Sequence, residues 1–291
     1  LITGATGYIG SNLSRKFIND GTEVHTLVLP DINFEYIDDI KYNLIFHIYD
    51  GTTESVFNAV KKTEPDIVYH LASLFLSEHK SEDIINLISS NILLGTQLLE
   101  SMSQLGVKHL LNTGTSWQHY NDEEYNPVNL YAATKQAFED ILKYYTNTGF
   151  IRAVSLHLFD TYGPGDNRPK LFNMLKNASE KNETLNMSPG EQLIDLVYID
   201  DVVNAFQLAG NYILKHDKII NEIYGVSSGE PLPLKEILEV YNTISDKKVH
   251  VAWGGRPYRQ REIMEPWNTF STLPDFKCCI NLNTGICKII S

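Results

Sequence analysis

The chain has 291 residues, 43% hydrophobic and 21% charged, with a formal net charge of −12. That is enough chain for one large domain with a smaller lobe, and it has no Lys/Arg-rich run of the kind that binds nucleic acid through phosphates. Three cysteines clustered at Cys278, Cys279 and Cys287 without a C-x-x-C pair argue against a disulfide framework or a metal site; no apolar run nears the roughly 18 residues of a membrane span and no signal peptide is visible, so a cytoplasmic protein that binds neither nucleic acid nor membrane is expected.

In chain order, Leu1–Thr3 reads as a strand and Ser11–Asp20 as a helix, with Gly4, Gly7 and Gly10 between them. That placement suits a dinucleotide. Gly4 allows a tight turn, a side chain at Gly7 would block close approach of a pyrophosphate, and Gly10 lets the helix pack on the sheet. The helix N-terminus then offers N–H groups and partial positive charge to phosphates.

Strand-like runs follow at Glu23–Leu29, Leu44–Ile48, Ile67–Leu71, Leu110–Asn112 and Ile151–His157, with helical stretches at Thr53–Thr63, Ile84–Leu105 and Tyr131–Thr146. Strands alternating with helices of this length predict βαβ units and a parallel sheet. Beyond the polar turn Tyr162–Arg168, helices are expected at Leu171–Ser179, Ile199–Ala209 and Leu234–Ile244. The expected fold is α/β: a doubly wound, mostly parallel Rossmann sheet with a smaller, interleaved C-terminal substrate lobe. Residues 1–168 form the dinucleotide-binding domain, about 187–230 return to it, and 169–186 with 231–291 form the lobe.

An NAD site usually ends its second strand with an acid for the ribose 2′-hydroxyl. Here Val28, Leu29 and Pro30 stand there. The missing carboxylate removes the repulsion against a 2′-phosphate without supplying a cation, which tilts the choice between NAD and NADP slightly to NADP. Tyr131 and Lys135 are four apart in Y-A-A-T-K, which puts both on one helix face. A phenol's ordinary pKa is about 10, and a nearby ammonium favours its phenolate, so such a Tyr can exchange a proton near neutrality.

The string T-G-A-T-G-Y-I-G, which includes Thr6, Tyr8 and Ile9, together with Tyr131 and Lys135, resembles the extended short-chain dehydrogenase/reductase (NAD-dependent epimerase/dehydratase) family. Ordered matches continue along the whole chain: Y-G-P-G-D at Tyr162–Asp166, G-E-Q-L-I-D-L-V-Y-I-D-D-V at Gly190–Val202, R-P-Y-R at Arg256–Arg259, L-P-D-F-K at Leu273–Lys277 and L-N-T-G-I at Leu282–Ile286. The resemblance implies that Asp50, with Gly51, meets the adenine, that Leu71, Ala72 and Ser73 line the cofactor with Thr113, and that Asn91 contributes from the next helix. It implies that Thr115 is the hydroxyl that orients the substrate oxygen, with Thr113 as the alternative.

On the substrate side it implies Trp117, Tyr120, Asp160, Arg168, Arg256 and Arg259. The Arg usual before the D-F of the later motif is Ile194 here, and His157 stands where relatives often have Arg. Ser116 and Trp117 follow Thr115 in place of the Asp-Glu of sugar-nucleotide 4,6-dehydratases, which disfavours dehydration. The run W-Q-H-Y with S-P-G-E-Q-L-I-D-L is similar to the CDP-abequose/CDP-paratose synthase-type branch. The implied activity is NAD(P)-dependent reduction at carbon 4 of a nucleotide-linked deoxyhexose in surface-polysaccharide synthesis. The rivals are a nucleotide-sugar 4-epimerase with tightly held NAD and a non-catalytic NAD(P)-binding sensor or scaffold. A homodimer is also implied, and no metal.

Overall fold

The computed structural model describes residues 1–216 and 221–290; residues 217–220 and Ser291, which fall inside the expected domain ranges, lie outside the described residues. Seven strands form one sheet: β1 (Ile2–Thr3), β2 (Val24–Val28), β3 (Leu44–Ile48), β4 (Val68–His70), β5 (His109–Thr115), β6 (Arg152–Leu158) and β11 (Asn221–Val226). Their order is β3-β2-β1-β4-β5-β6-β11, and every pair is parallel. The sheet is thus wholly parallel, as the alternation of strands and helices required.

Both faces are covered, so its strands read as nearly continuous apolar runs. Within β5, Leu110 packs into one core with Val68, Leu98 and Leu142, while its neighbour Leu111 packs into the other with Ile2, Val154 and Phe206. The first core lies under α2 (Thr53–Thr63), α4 (Leu94–Leu105) and α5 (Leu130–Asn147); the second lies under α1 (Tyr8–Asn19) and α7 (Ile199–Lys215). From β1 the chain runs one way to β2 and β3 and the other way to β4 and β5. That switch opens a crevice at the carboxyl end of β1, where ligands bind in such sheets.

Local capping sets the helix starts that matter. Thr52 Oγ1 accepts from the Ser55 amide and opens α2 where expected. Asn129 caps α5 by accepting from Ala132 N at 2.9 Å, while its Nδ2 donates to Leu76 O and Ser77 O. The cap therefore places Tyr131 in the first turn and ties it to the loop after β4.

The stretch expected as one helix over 84–105 is broken. It comprises α3 (Ile84–Ile88), a π-turn at Ser89–Leu93 and then α4. The wide turn carries Asn91, whose side chain bonds the loop after β4; π-turns often mark functional positions.

In the second half, β7 (Asp160–Tyr162) pairs with β10 (Leu196–Tyr198), β8 (Thr184–Met187) with β13 (His250–Trp253), and β9 (Leu193–Ile194) with β12 (Leu232–Pro233). These short pairs join α6 (Leu171–Lys181), α8 (Leu234–Ile244) and α9 (Leu282–Ile290). Two- to four-residue strands show no usable alternation, so they are not legible in sequence. The segment around Trp267–Leu273 returns to the sheet edge: Gly225 N donates to Ser271 O at 3.0 Å and a bridge joins Gly225 to Thr272. A Cβ on Gly225 would lie 2.5 Å from the Phe270 ring, so only glycine admits this strap.

Candidate active site

The glycine turn closes with Gly7 N donating to Gly4 O at 3.0 Å. Gly4 has φ +78°, and a Cβ there would meet Ala72 N at 2.6 Å; one on Gly10 would meet Gly4 O at 2.1 Å. Packing of the protein itself therefore demands both glycines. Gly7 differs. A Cβ on it would come no closer than 3.4 Å to any neighbour, and its φ of −88° suits any residue. Nothing in the fold explains Gly7, whereas a phosphate seated at the α1 N-terminus does, since that terminus has no side-chain cap and its N–H groups and dipole suit an anion. The residues present fit a dinucleotide.

Thr6 and Ile9 are half-buried beside this turn. Tyr8 is buried and donates to Pro164 O at 3.2 Å, and burial holds its phenol well above the ordinary value, so it acts as a strut. At the end of β3, Asp50 is exposed; it accepts from Thr52 Oγ1 and N, which hold its carboxyl below the usual range, and Gly51 O accepts from Gln97. After β4, Leu71 N donates to Thr3 O, and Ala72 N to Thr3 Oγ1, which also bonds His70 Nδ1 at 2.8 Å.

Asn91 is engaged on every side. Its amide oxygen accepts from Ser73 Oγ at 3.1 Å and Leu74 N at 2.7 Å, and its Nδ2 donates to Leu74 O and Thr134 Oγ1. In this structure it braces the cofactor-side loop against α5, and any effect it has on a cofactor passes through Ser73 and Leu74.

Tyr131 sits where these braces converge. Ser73 lies near its phenol, and Phe75 stands edge-on to it at 5.0 Å while also touching Trp117 at 5.6 Å. Burial pushes the Tyr131 pKa up to about 12, against the pull of Ser73 and the Arg168 charge. The expectation that Lys135 lowers this pKa in the free protein is not met; the desolvation of the phenolate outweighs every nearby donor. Lys135 is buried, and burial lowers its own pKa to about 8 although Glu139 pulls it back up. His70, facing Lys135 from below, is kept neutral by burial and the lysine charge at about 3. Thr115 ends β5 and its Oγ1 accepts from Trp117 N at 3.3 Å, which leaves its own hydrogen free to donate. Thr113, two residues earlier on the same strand face, has a buried hydroxyl without a partner.

The arginines separate. Arg168 forks onto Asp166 with two bonds of 2.7 Å and lies 4.6 Å over the Tyr8 ring. It stands beside the glycine turn, and its charge also reaches Tyr131. Arg256 and Arg259 are exposed in the segment after β13, with Arg259 4.0 Å from Glu78. Asp160 pairs with Lys170 at 3.2 Å, and that ammonium lies over Phe75. Sequence reasoning missed Arg261. Its guanidinium stacks 4.3 Å over Tyr120 and bonds Asn126, and its buried Nε has no partner. No motif marks it, because only the fold brings residue 261 onto the loop after β5.

A parallel sheet with a glycine turn at its switch point, and a helix presenting a Tyr–Lys pair beside that turn, define a dinucleotide-dependent oxidoreductase of the short-chain type. Comparison with known proteins agrees. Residues 1–224 match the NAD dependent epimerase/dehydratase family. The chain is 30% identical over 262 residues to CDP-abequose synthase of Yersinia pseudotuberculosis, covering 89% of this chain and 88% of that one. It is 26% identical over 247 residues to CDP-abequose synthase of Salmonella typhimurium, covering 82% and 78%.

Among solved structures, UDP-glucose-4-epimerase of Stenotrophomonas maltophila with bound NAD and formylated UDP-arabinopyranose superposes with TM-score 0.86 at 18% identity, covering 99% of this chain and 95% of that one. The NAD complex of Thermus thermophilus UDP-glucose 4-epimerase gives 0.80 at 24%, covering 99% and 96%. The chain belongs to the NAD dependent epimerase/dehydratase family and is an enzyme of that NAD-dependent kind. Among the described residues no helix is long and apolar enough to cross a membrane.

Two measurements separate fold from site. Gly10→Ala should lower stability by about 1–3 kcal/mol through overpacking, while Gly7→Ala should melt like the parent and lose dinucleotide binding; thermal melts and cofactor titration check both, and equal loss of stability in the two would contradict the argument. Because burial takes the folded-state pKa of Lys135 from 10.5 to about 8, its charge costs stability at every pH below about 8, and the cost fades as pH rises towards 10.5. Lys135→Met should therefore raise stability at pH 7 by roughly 1–3 kcal/mol and narrow that gain by pH 10; a destabilised variant at pH 7 would refute it.

Proposed function

We propose that this enzyme reduces the carbon-4 ketone of a nucleotide-linked 4-keto-6-deoxyhexose. The observation that carries the reading is the similarity along most of the chain to the CDP-abequose synthases, joined to a Tyr131–Lys135 pair one turn apart on α5. Dehydration is not supported, since Ser116 and Trp117 follow Thr115 and the nearby Asp122 carboxylate accepts from Asn268 N and Thr269 N.

When bound, a reduced nicotinamide supplies the hydride. Gly7 and the α1 N-terminus would hold the diphosphate of the dinucleotide, Arg168 would add charge beside it, and Asp50 would accept from the adenine. Thr115 Oγ donates to the ketone oxygen and orients the carbonyl. Tyr131 Oη gives its proton to that oxygen as it becomes a hydroxyl. The Lys135 ammonium then supports the phenolate left behind. Trp117 and Tyr120 line the sugar, and Arg256, Arg259 and Arg261 offer guanidinium forks to its diphosphate. With no acid at Val28–Pro30 and Arg15 engaged by Asp39 and Tyr36 O, NADP is admitted and slightly preferred, with NAD also used.

The relatives named CDP-abequose synthase make CDP-linked 4-keto sugars the first substrates to try. A homodimer is proposed on the exposed apolar row Ile84, Ile85 and Ile88 of α3, which a second copy would cover.

With CDP-, dTDP-, GDP- and UDP-linked 4-keto sugars, NADPH or NADH should be consumed, and Tyr131→Phe should slow turnover by about 10²–10⁴-fold. No consumption with any pair sinks the reductase reading; interconversion of 4-hydroxy epimers without added cofactor selects the epimerase. Light scattering should return twice the 33.0 kDa chain mass, and Ile85→Glu should halve it; a monomeric parent ends the dimer proposal.

A further inference from the structure

Behind Lys135 runs a buried polar string that the reaction above does not use. Glu139 is one helical turn beyond Lys135 on α5. Its Oε1 lies 2.7 Å from His157 Nε2 on β6. His157 Nδ1 lies 2.9 Å from His119 Nε2, and His119 Nδ1 lies 3.1 Å from Glu123 O in the loop after β5. Glu139, His157 and His119 are each at least nine-tenths buried. Glu139 also accepts from Gln118 Nε2 at 2.9 Å and Asn112 Nδ2 at 3.2 Å. Trp267 stacks on the His119 ring at 3.8 Å and closes the string from solvent. Gly114 makes room for it, since a Cβ there would lie 2.2 Å from the His157 ring and 2.9 Å from Glu139 Oε1.

Hydrogen counting fixes the charge. An ionised carboxylate and a backbone carbonyl only accept. So His157 Nε2 and His119 Nδ1 must each carry a hydrogen, and a third must lie between the two rings. Two neutral imidazoles hold two, so the pair carries one extra proton, balanced by Glu139. Of the two rings, His157 is the one paired with the Glu139 carboxylate, at 2.7 Å, and this geometry places the charge there. Burial alone would raise Glu139, yet His157, Gln118 and Lys135 hold its carboxyl below the usual range.

We propose that His157 is a titratable counter-charge which, through Glu139 and braced by His119, sets the electrostatic field on Lys135. With His157 charged, Glu139 is neutralised. With His157 neutral, the carboxylate faces Lys135 alone and holds its ammonium. A permanent guanidinium at position 157 could not switch in this way. The other titratable groups facing the string are His70 towards Lys135 and Asp122 near His119, where Glu123 and Glu124 present only backbone carbonyls. None contacts Glu139. These are positioning residues, and their relevance to catalysis rests on the Tyr131–Lys135 reading above; their effect on Lys135 does not.

The test uses the free full-length protein and no substrate. ¹⁵N imidazole spectra at pH 7 should show His157 doubly protonated and His119 neutral with its hydrogen on Nδ1. Lys135, identified by the signal lost in Lys135→Met, is followed by its ¹³Cε shift from pH 6 to 10. His157→Arg should lower its midpoint and His157→Gln should raise it, each by about one pH unit, a tenfold change in the protonation equilibrium. His119→Gln should leave it between the two. A structural role would displace both His157 variants the same way or neither, and either result overturns the proposal. If the variants do not fold, a neutral His157 in the parent at pH 7 overturns it equally.

Discussion

Three backbone segments meet almost without clearance at the carboxyl end of β1, and the rest of the site depends on that contact. Gly4 lies against Ala72, and Gly10 against Gly4. Thr3 then ties β1 to the end of β4 and the loop after it, since its Oγ1 bonds Ala72 N and His70 Nδ1. Only this closeness lets the crevice at the sheet's switch point, the α1 N-terminus and the loop after β4 face one ligand. From Ala72 the contact passes outward through Ser73 and Asn91 to Thr134 of α5. The glycine turn and α5 are thus one mechanical unit.

The electrostatics of that unit oppose the intuition from spacing. A Tyr and a Lys one turn apart suggest a lowered phenol pKa. Burial of both groups reverses this in the free protein, raising Tyr131 and lowering Lys135. The two shifts share a cause, the loss of water, which disfavours whichever form is charged.

Residue roles divide by how local their signals are. The glycine turn, the Tyr131–Lys135 pair and the end of β5 are short motifs inside single elements, so they are legible from spacing. Arg168, Arg256 and Arg259 look alike as sequence. The fold puts Arg168 against Tyr8 and Asp166 and leaves the other two exposed in the segment after β13. Arg261 carries no motif at all, and its stacking on Tyr120 exists only because the chain after β13 crosses the loop after β5. The π-turn at Asn91 is equally silent, because one extra residue in a helix leaves the apolar pattern nearly unchanged.

By itself the sequence determined the class of fold and singled out the glycine turn and the Tyr131–Lys135 pair as candidates, because period, glycine placement and four-residue spacing act over one or two elements. Gly7 was readable as a ligand position, yet only the tertiary structure separated it from Gly4 and Gly10, since the distinction rests on what a Cβ would touch. The same holds for charge. His157 in place of Arg is a single letter in the sequence. Its partners Glu139 and His119 lie 18 and 38 residues away along the chain, and packing alone removes the water that would otherwise screen one from the next.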